Sequence, residues 1–131
     1  MSPPASKIDR YIRQSGFAPL GKEGQRKIGD STIVICGCGA LGSVLANTLA
    51  RAGVGKLRII DRDYLEWNNL QRQVLYTEKD VAAGIPKAVA AKSHLAEINS
   101  GIEIEAVVSH ISADNVIELV QDADCIVDGT D

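Results

Sequence analysis

The chain has 131 residues, a formal net charge of −3 and 45% hydrophobic residues. This suffices for one domain with its own core and is too little for two ordinary ones. The acidic balance argues against a nucleic-acid partner, which favours a basic surface, and no apolar run is long enough to span a bilayer.

The opening MSPPASKIDRYIRQ lacks the apolar core of a signal peptide. Met1 to Ser6 reads as a disordered Pro/Ser-rich tail. Lys7–Gln14 and Lys22–Ile28 read as short helices separated by the Gly16–Pro19 turn. Ser31-Thr32 lead into Ile33-Val34-Ile35-Cys36, an apolar run suited to a strand buried on both faces. Leu41, Val44, Leu45, Thr48, Leu49 and Ala52 then recur at helical spacing until Gly53, and Leu57–Ile60 forms a second strand. From Arg62 to Ala83 the pattern loses its period. Pro86 opens a helix through Ala91, Leu95 and Ile98. Ile102–Val108 alternates as a third strand. Ser112 is expected to cap a helix carrying Val116, Leu119 and Val120. Cys125-Ile126-Val127 makes a fourth strand, ending at Asp128-Gly-Thr-Asp131. Alternating strands and helices predict an α/β fold, a mostly parallel Rossmann-like sheet with helices on both faces. Residues 1–30 would form the tail and helical arm and residues 31–131 the domain.

Gly37-x-Gly39-x-x-Gly42 falls where strand becomes helix, and Asp61 follows about 20 residues later, the spacing of a dinucleotide-binding fingerprint. The helix N-terminus offers unpaired N–H groups to phosphates, and Asp61 an acceptor to ribose hydroxyls. Asn69, Arg72 and Gln73 within NNLQRQ, then Lys87, Asp128 and Asp131, add cations, amides and acids. Ligands of such sheets sit at the carboxyl ends of the strands, where Asp61 and Asp131 fall. Arg72 and Lys87 suit phosphates, and Asp131 suits Mg²⁺. A lysine in a first helical turn opposes the helix dipole, so Lys87 there favours an anionic ligand.

Cys36, Cys38 and Cys125 make no disulfide framework and no C-x-x-C pair, which fits a reducing, cytoplasmic setting. Cys36 and Cys38 read as packing residues and Cys125 as core. His94 and His110 read as surface or internally satisfied histidines. Asp128 is balanced between a cap and support of a metal site, and Trp67 between a partner contact and a loop anchor.

RYIRQ at Arg10–Gln14, GQRKI from Gly24, GCGALG, RAGVGKLRIIDRD, NNLQRQ, the G-x-x-K of Gly84–Lys87, EIN at Glu97–Asn99 and the terminal DGTD occur in that order. The chain thereby resembles the ThiF/MoeB/ubiquitin-activating-enzyme superfamily from Arg10 onward. The resemblance implies an adenylyltransferase that joins the C-terminal carboxylate of a ubiquitin-like or sulfur-carrier protein, ending in Gly-Gly, to the α-phosphate of ATP. It implies nucleotide contacts from Gly37, Gly39, Ala40, Gly42, Asp61, Asp63, Asn69, Arg72, Lys87 and Asp131, with Asp131 holding Mg²⁺. Arg72 and Lys87 would act catalytically on the phosphates, joined by Arg13 reaching the γ-phosphate of the neighbouring subunit in a homodimer. Ala40 departs from a frequent glycine and Asn68 from Ser or Thr. Relatives continue well past the position of Asp131, where a thiol-transfer cysteine and zinc pairs would lie. The chain would therefore be an N-terminal nucleotide-binding part, inactive or weakly active alone, with one sheet edge left open. Two rival readings are an NAD-binding Rossmann module and a non-catalytic interaction domain that keeps the fold.

Overall fold

A computed structural model describes residues 10–130; the predicted tail, the start of the first predicted helix and Asp131 lie outside the described residues. Helices α1 (Ile12–Ser15) and α2 (Gly21–Gly29) form the arm. The domain runs β1 (Thr32–Cys36), α3 (Ala40–Ala52), β2 (Lys56–Ile60), a 3₁₀ turn (Trp67–Asn69), α4 (Glu78–Ala83), α5 (Lys87–Ile98), β3 (Glu103–Val107), α6 (Val116–Val120) and β4 (Cys125–Asp128). The strands lie in the order β3-β2-β1-β4, and every neighbouring pair is parallel. The order reverses beside β1, a topological switch point of the kind where such sheets open a ligand crevice.

Strand alternation divides the core in two. Ile35, Leu57, Ile59 and Ile104 face α3 and α5 in the larger cluster. Val34, Cys36 and Ile60 face the other way, toward Leu119 and Val120 of α6. Helices thus cover both faces, as the sequence predicts. Arg58 ties the second face together: its guanidinium donates to Glu105 on β3, to Asp122 and to the Leu119 carbonyl. No helix among the described residues is long and apolar enough to cross a membrane.

Three expectations need correction. Leu41 and Val44 of α3 do not join its buried face: Leu41 is 56% and Val44 45% exposed, whereas Gly42, Ser43, Ala46 and Ala50 are buried and Leu49 packs against the core. Small side chains let α3 approach the sheet and the alanines Ala88, Ala90 and Ala91 of α5 closely. Ser112 does not cap α6. The helix starts at Val116 with Asn115 before it, and the Asn115 Oδ1 accepts from the Ser112 N–H at 2.8 Å. Cys125 is exposed rather than core: β4 is an edge of the sheet and, among the described residues, pairs only with β1.

Candidate functional site

At the switch point the chain turns from β1 into α3 through a glycine junction. Gly37 has φ +88°, and a methyl group on Gly42 would meet the Gly37 carbonyl oxygen at 1.9 Å. The same junction packs against Gly129 after β4, whose N–H donates to the Cys36 carbonyl at 2.7 Å. Only bare backbone fits on these surfaces, so helix, turn and the end of β4 close up tightly. α3 begins at Ala40, after Gly39, with no side chain capping it. Its first N–H groups are therefore left without a side-chain cap.

Around this helix end lies a cleft of about 380 Å³, lined by Gly37, Gly39, Asp61, Asp63, Gln73 and Lys87, together with Arg62, residues 109–111, Gly129 and Thr130. That is within the usual size range of a small-molecule site. Asp61 is held in place by main chain. Its Oδ2 accepts from the Cys38 N–H at 2.8 Å and its Oδ1 from the Asp63 N–H at 2.7 Å. Each oxygen keeps a lone pair for another donor. The Asp63 carbonyl accepts from the Lys87 N–H at 2.9 Å, which seats the start of α5 against the loop after β2. The Lys87 side chain is buried, with Nζ 3.9 Å from the Asp63 carboxylate. That separation is too long for a hydrogen bond. Lys87 lines the cleft, where an anion could pair with its ammonium more closely than Asp63 does.

Other predicted site residues are placed differently. Asn69 is buried, but its Oδ1 accepts from the Glu66 N–H at 2.8 Å and so shapes the 3₁₀ turn. Arg72 is exposed, and its Nη1 donates to the Asn68 carbonyl at 3.0 Å. Arg13 is exposed at the other end of α3. Its neighbour Gln14 donates to the Ala52 carbonyl at 3.0 Å. At 13 residues, α3 is about 20 Å long, which puts Arg13 beyond reach of its own chain's cleft. Asp128 is occupied by its own turn. Its Oδ1 accepts from the Thr130 N–H and hydroxyl, which hold its carboxyl below the usual value. Asp131 lies outside the described residues, and no cluster of three metal-ligating side chains occurs among the described ones.

The cysteines and histidines follow the packing expectation in part. Burial pushes the Cys38 thiol up to about 11, and burial, with the Asp128 charge behind it, raises Cys36 as well. Neither is poised as a thiolate nucleophile. His94 meets Asp80 at 2.6 Å. His110 is exposed but lines the cleft, and Trp67 is 59% exposed, so most of its surface is not packed into the loop. Sequence reasoning missed Arg62, Thr130 and residues 109–111. The last three follow the carboxyl end of β3, and that position was the available signal. Gly129, within the terminal DGTD, packs on Gly37 and Gly42, a contact that no local pattern signals.

Fold and cleft together define a Rossmann-type α/β domain whose site lies at the β1–β4 switch point. The chain belongs to the ThiF family, whose pattern matches residues 11–131. It is 52% identical over 122 residues to the sulfur carrier protein ThiS adenylyltransferase of Bacillus subtilis (strain 168), covering 93% of this chain and 36% of that protein. It is 38% identical over 127 residues to the SAMP-activating enzyme E1 of Haloferax volcanii, covering 97% and 46%. Its structure is similar to that of E. coli tRNA N6-threonylcarbamoyladenosine dehydratase, TcdA, in complex with ATP. There the TM-score is 0.84 at 28% identity, covering 95% of this chain and 50% of that one. The chain thus spans at most about half the length of these relatives.

Proposed function

We propose that the chain is the ATP-binding part of an enzyme that adenylates the C-terminal carboxylate of a ubiquitin-like or sulfur-carrier protein. One observation carries this reading: an uncapped α3 N-terminus, a main-chain-fixed Asp61 and a buried Lys87 meet in one cleft. Relatives named as carrier-protein adenylyltransferases and a structural neighbour solved with ATP support it. Asp61 binds the ribose, and Gly37, Gly39, Ala40 and Gly42 present backbone to the phosphates. Asp63 positions the start of α5, and Lys87 neutralises charge building on the α-phosphate.

In the reaction, a carboxylate oxygen of the carrier attacks the α-phosphorus. The bond from that phosphorus to the oxygen bridging the α- and β-phosphates breaks, leaving an acyl-adenylate and pyrophosphate. The protein's part is mostly positioning and electrostatics. Arg72, on the exposed turn, joins the phosphates by swinging from the Asn68 carbonyl, while Asn69 fixes the turn that carries it. Mg²⁺ suits this site because it needs only one or two carboxylates beside substrate phosphates. Asp131 would supply one, since Gly129 and Thr130 just before it line the cleft. Bound there, the ion offsets charge on the phosphates. Arg13 lies too far to serve its own cleft, so its role requires a second copy in a homodimer.

Calorimetry with ATP–Mg²⁺ and with NAD tests the reading. ATP should bind, and Asp61→Ala should weaken it by about 1–3 kcal/mol. Preference for NAD, or unchanged ATP affinity in the variant, would overturn the assignment.

A further inference from the structure

Gln73 is 4% exposed, and its Oε1 is fully enclosed without a hydrogen-bond partner among the described residues. Buried polar atoms are nearly always paired, so such an exception calls for a physical cause. Its main chain is not the cause, because the N–H donates to the Asn69 carbonyl at 2.9 Å and the carbonyl accepts from the Tyr76 N–H. The other end of the amide supplies one. Nε2 lies against Gly39, where a methyl group would sit 3.4 Å from it, and Gln73 lines the cleft. Gly39 immediately precedes the uncapped first turn of α3. Methionine would fill the same space without enclosing an unpaired oxygen. What the amide adds is therefore a pair of neutral N–H donors beside the place where a helix N-terminus receives an anion.

We infer that Gln73 is a ligand-binding residue of this cleft, its carboxamide Nε2 donating to a phosphate oxygen of the bound nucleotide. The inference rests on the ATP-binding reading above. Lys87 contributes a charge from the start of α5. Gln73 contributes direction, from beside Gly39, and does so without a charge that salt would screen.

Calorimetry of ATP and adenosine on wild type, Gln73→Met and Gln73→Glu tests it. Gln73→Met should lose about tenfold or more in ATP affinity, as for a hydrogen bond to a charged group. It should keep adenosine affinity and melt no lower than wild type, since it also removes the enclosed oxygen. Gln73→Glu should lose more at pH 8 and recover part of the deficit toward pH 5, as the introduced carboxyl takes a proton. ATP affinities within twofold of wild type in both variants, or equal losses for adenosine, would overturn the inference and leave the ATP site standing. Failure of wild type to bind ATP would instead remove the ATP-binding reading, and the inference with it.

Discussion

The two ends of α3 are finished in opposite ways. At its C-terminal end the carbonyls are capped by side chains brought from elsewhere. Gln14 and Gln25 donate to the Ala52 carbonyl, and Asn99 donates to the Ala50 carbonyl and the Tyr11 hydroxyl. At its N-terminal end no side chain caps the helix, Lys87 keeps its Nζ 3.9 Å from its counter-ion Asp63, and the Gln73 Oε1 is enclosed and unpaired. The same helix is closed by the arm at one end and left open to a ligand at the other. Stability concentrates where polar groups are paired, and binding capacity where they are not.

Substitutions can break that contrast. The largest effect is expected at the glycine junction, where Gly42→Ala would drive a methyl group into the Gly37 carbonyl. A loss of about 3 kcal/mol or more in urea unfolding is expected, because the junction joins the fold to the open end. A loss within the error of the melt would mean the turn can relax. At the closed end, Asn99→Ala removes the side-chain donor to the Ala50 carbonyl, which keeps the Gly53 N–H, and frees Tyr11. It should cost about 2 kcal/mol of stability and leave ATP affinity unchanged in the folded protein. Selective loss of ATP binding there would erase the division between the ends.

Lys87→Ala should do the reverse, weakening ATP by about 1.5 kcal/mol or more while adenosine affinity and melting temperature hold. Equal losses for both ligands would make Lys87 a support of the fold. The smallest effect belongs to the Arg58 clamp on the second face, remote from both ends of α3. Hydrogen bonding to Arg58 lowers Asp122 to about 2 from 3.8. A depressed carboxyl contributes its stability above the unfolded value and loses it as pH falls through the folded one. The melting gap between wild type and Asp122→Asn should therefore be small but present at pH 6 and close between about pH 4 and pH 2. A gap that persists at pH 2 would assign the contribution to something other than this ion pair.

The sequence by itself determined the order of the strands and the helices that join them, the glycine turn and the placement of Asp61, but not the 3₁₀ turn and α4 within the aperiodic stretch from Arg62 to Ala83. Each depends on local pattern: short apolar or alternating runs in the strands, glycines at fixed offsets, and an acid where a strand must end. Position in chain order also placed Lys87 at a helix start, where an ammonium opposes the dipole. Only tertiary structure decided which face of α3 is buried. Packing distance to α5, not hydropathy, selects Ala46 and Ala50 over Leu41 and Val44. Partners far apart in the chain likewise set β4, with its exposed Cys125, at the sheet edge and Gly129 against Gly42. Hydrogen bonds and close contacts between such distant segments leave no periodic trace, so Gln73 could be named from its motif but not seen to be buried and unpaired.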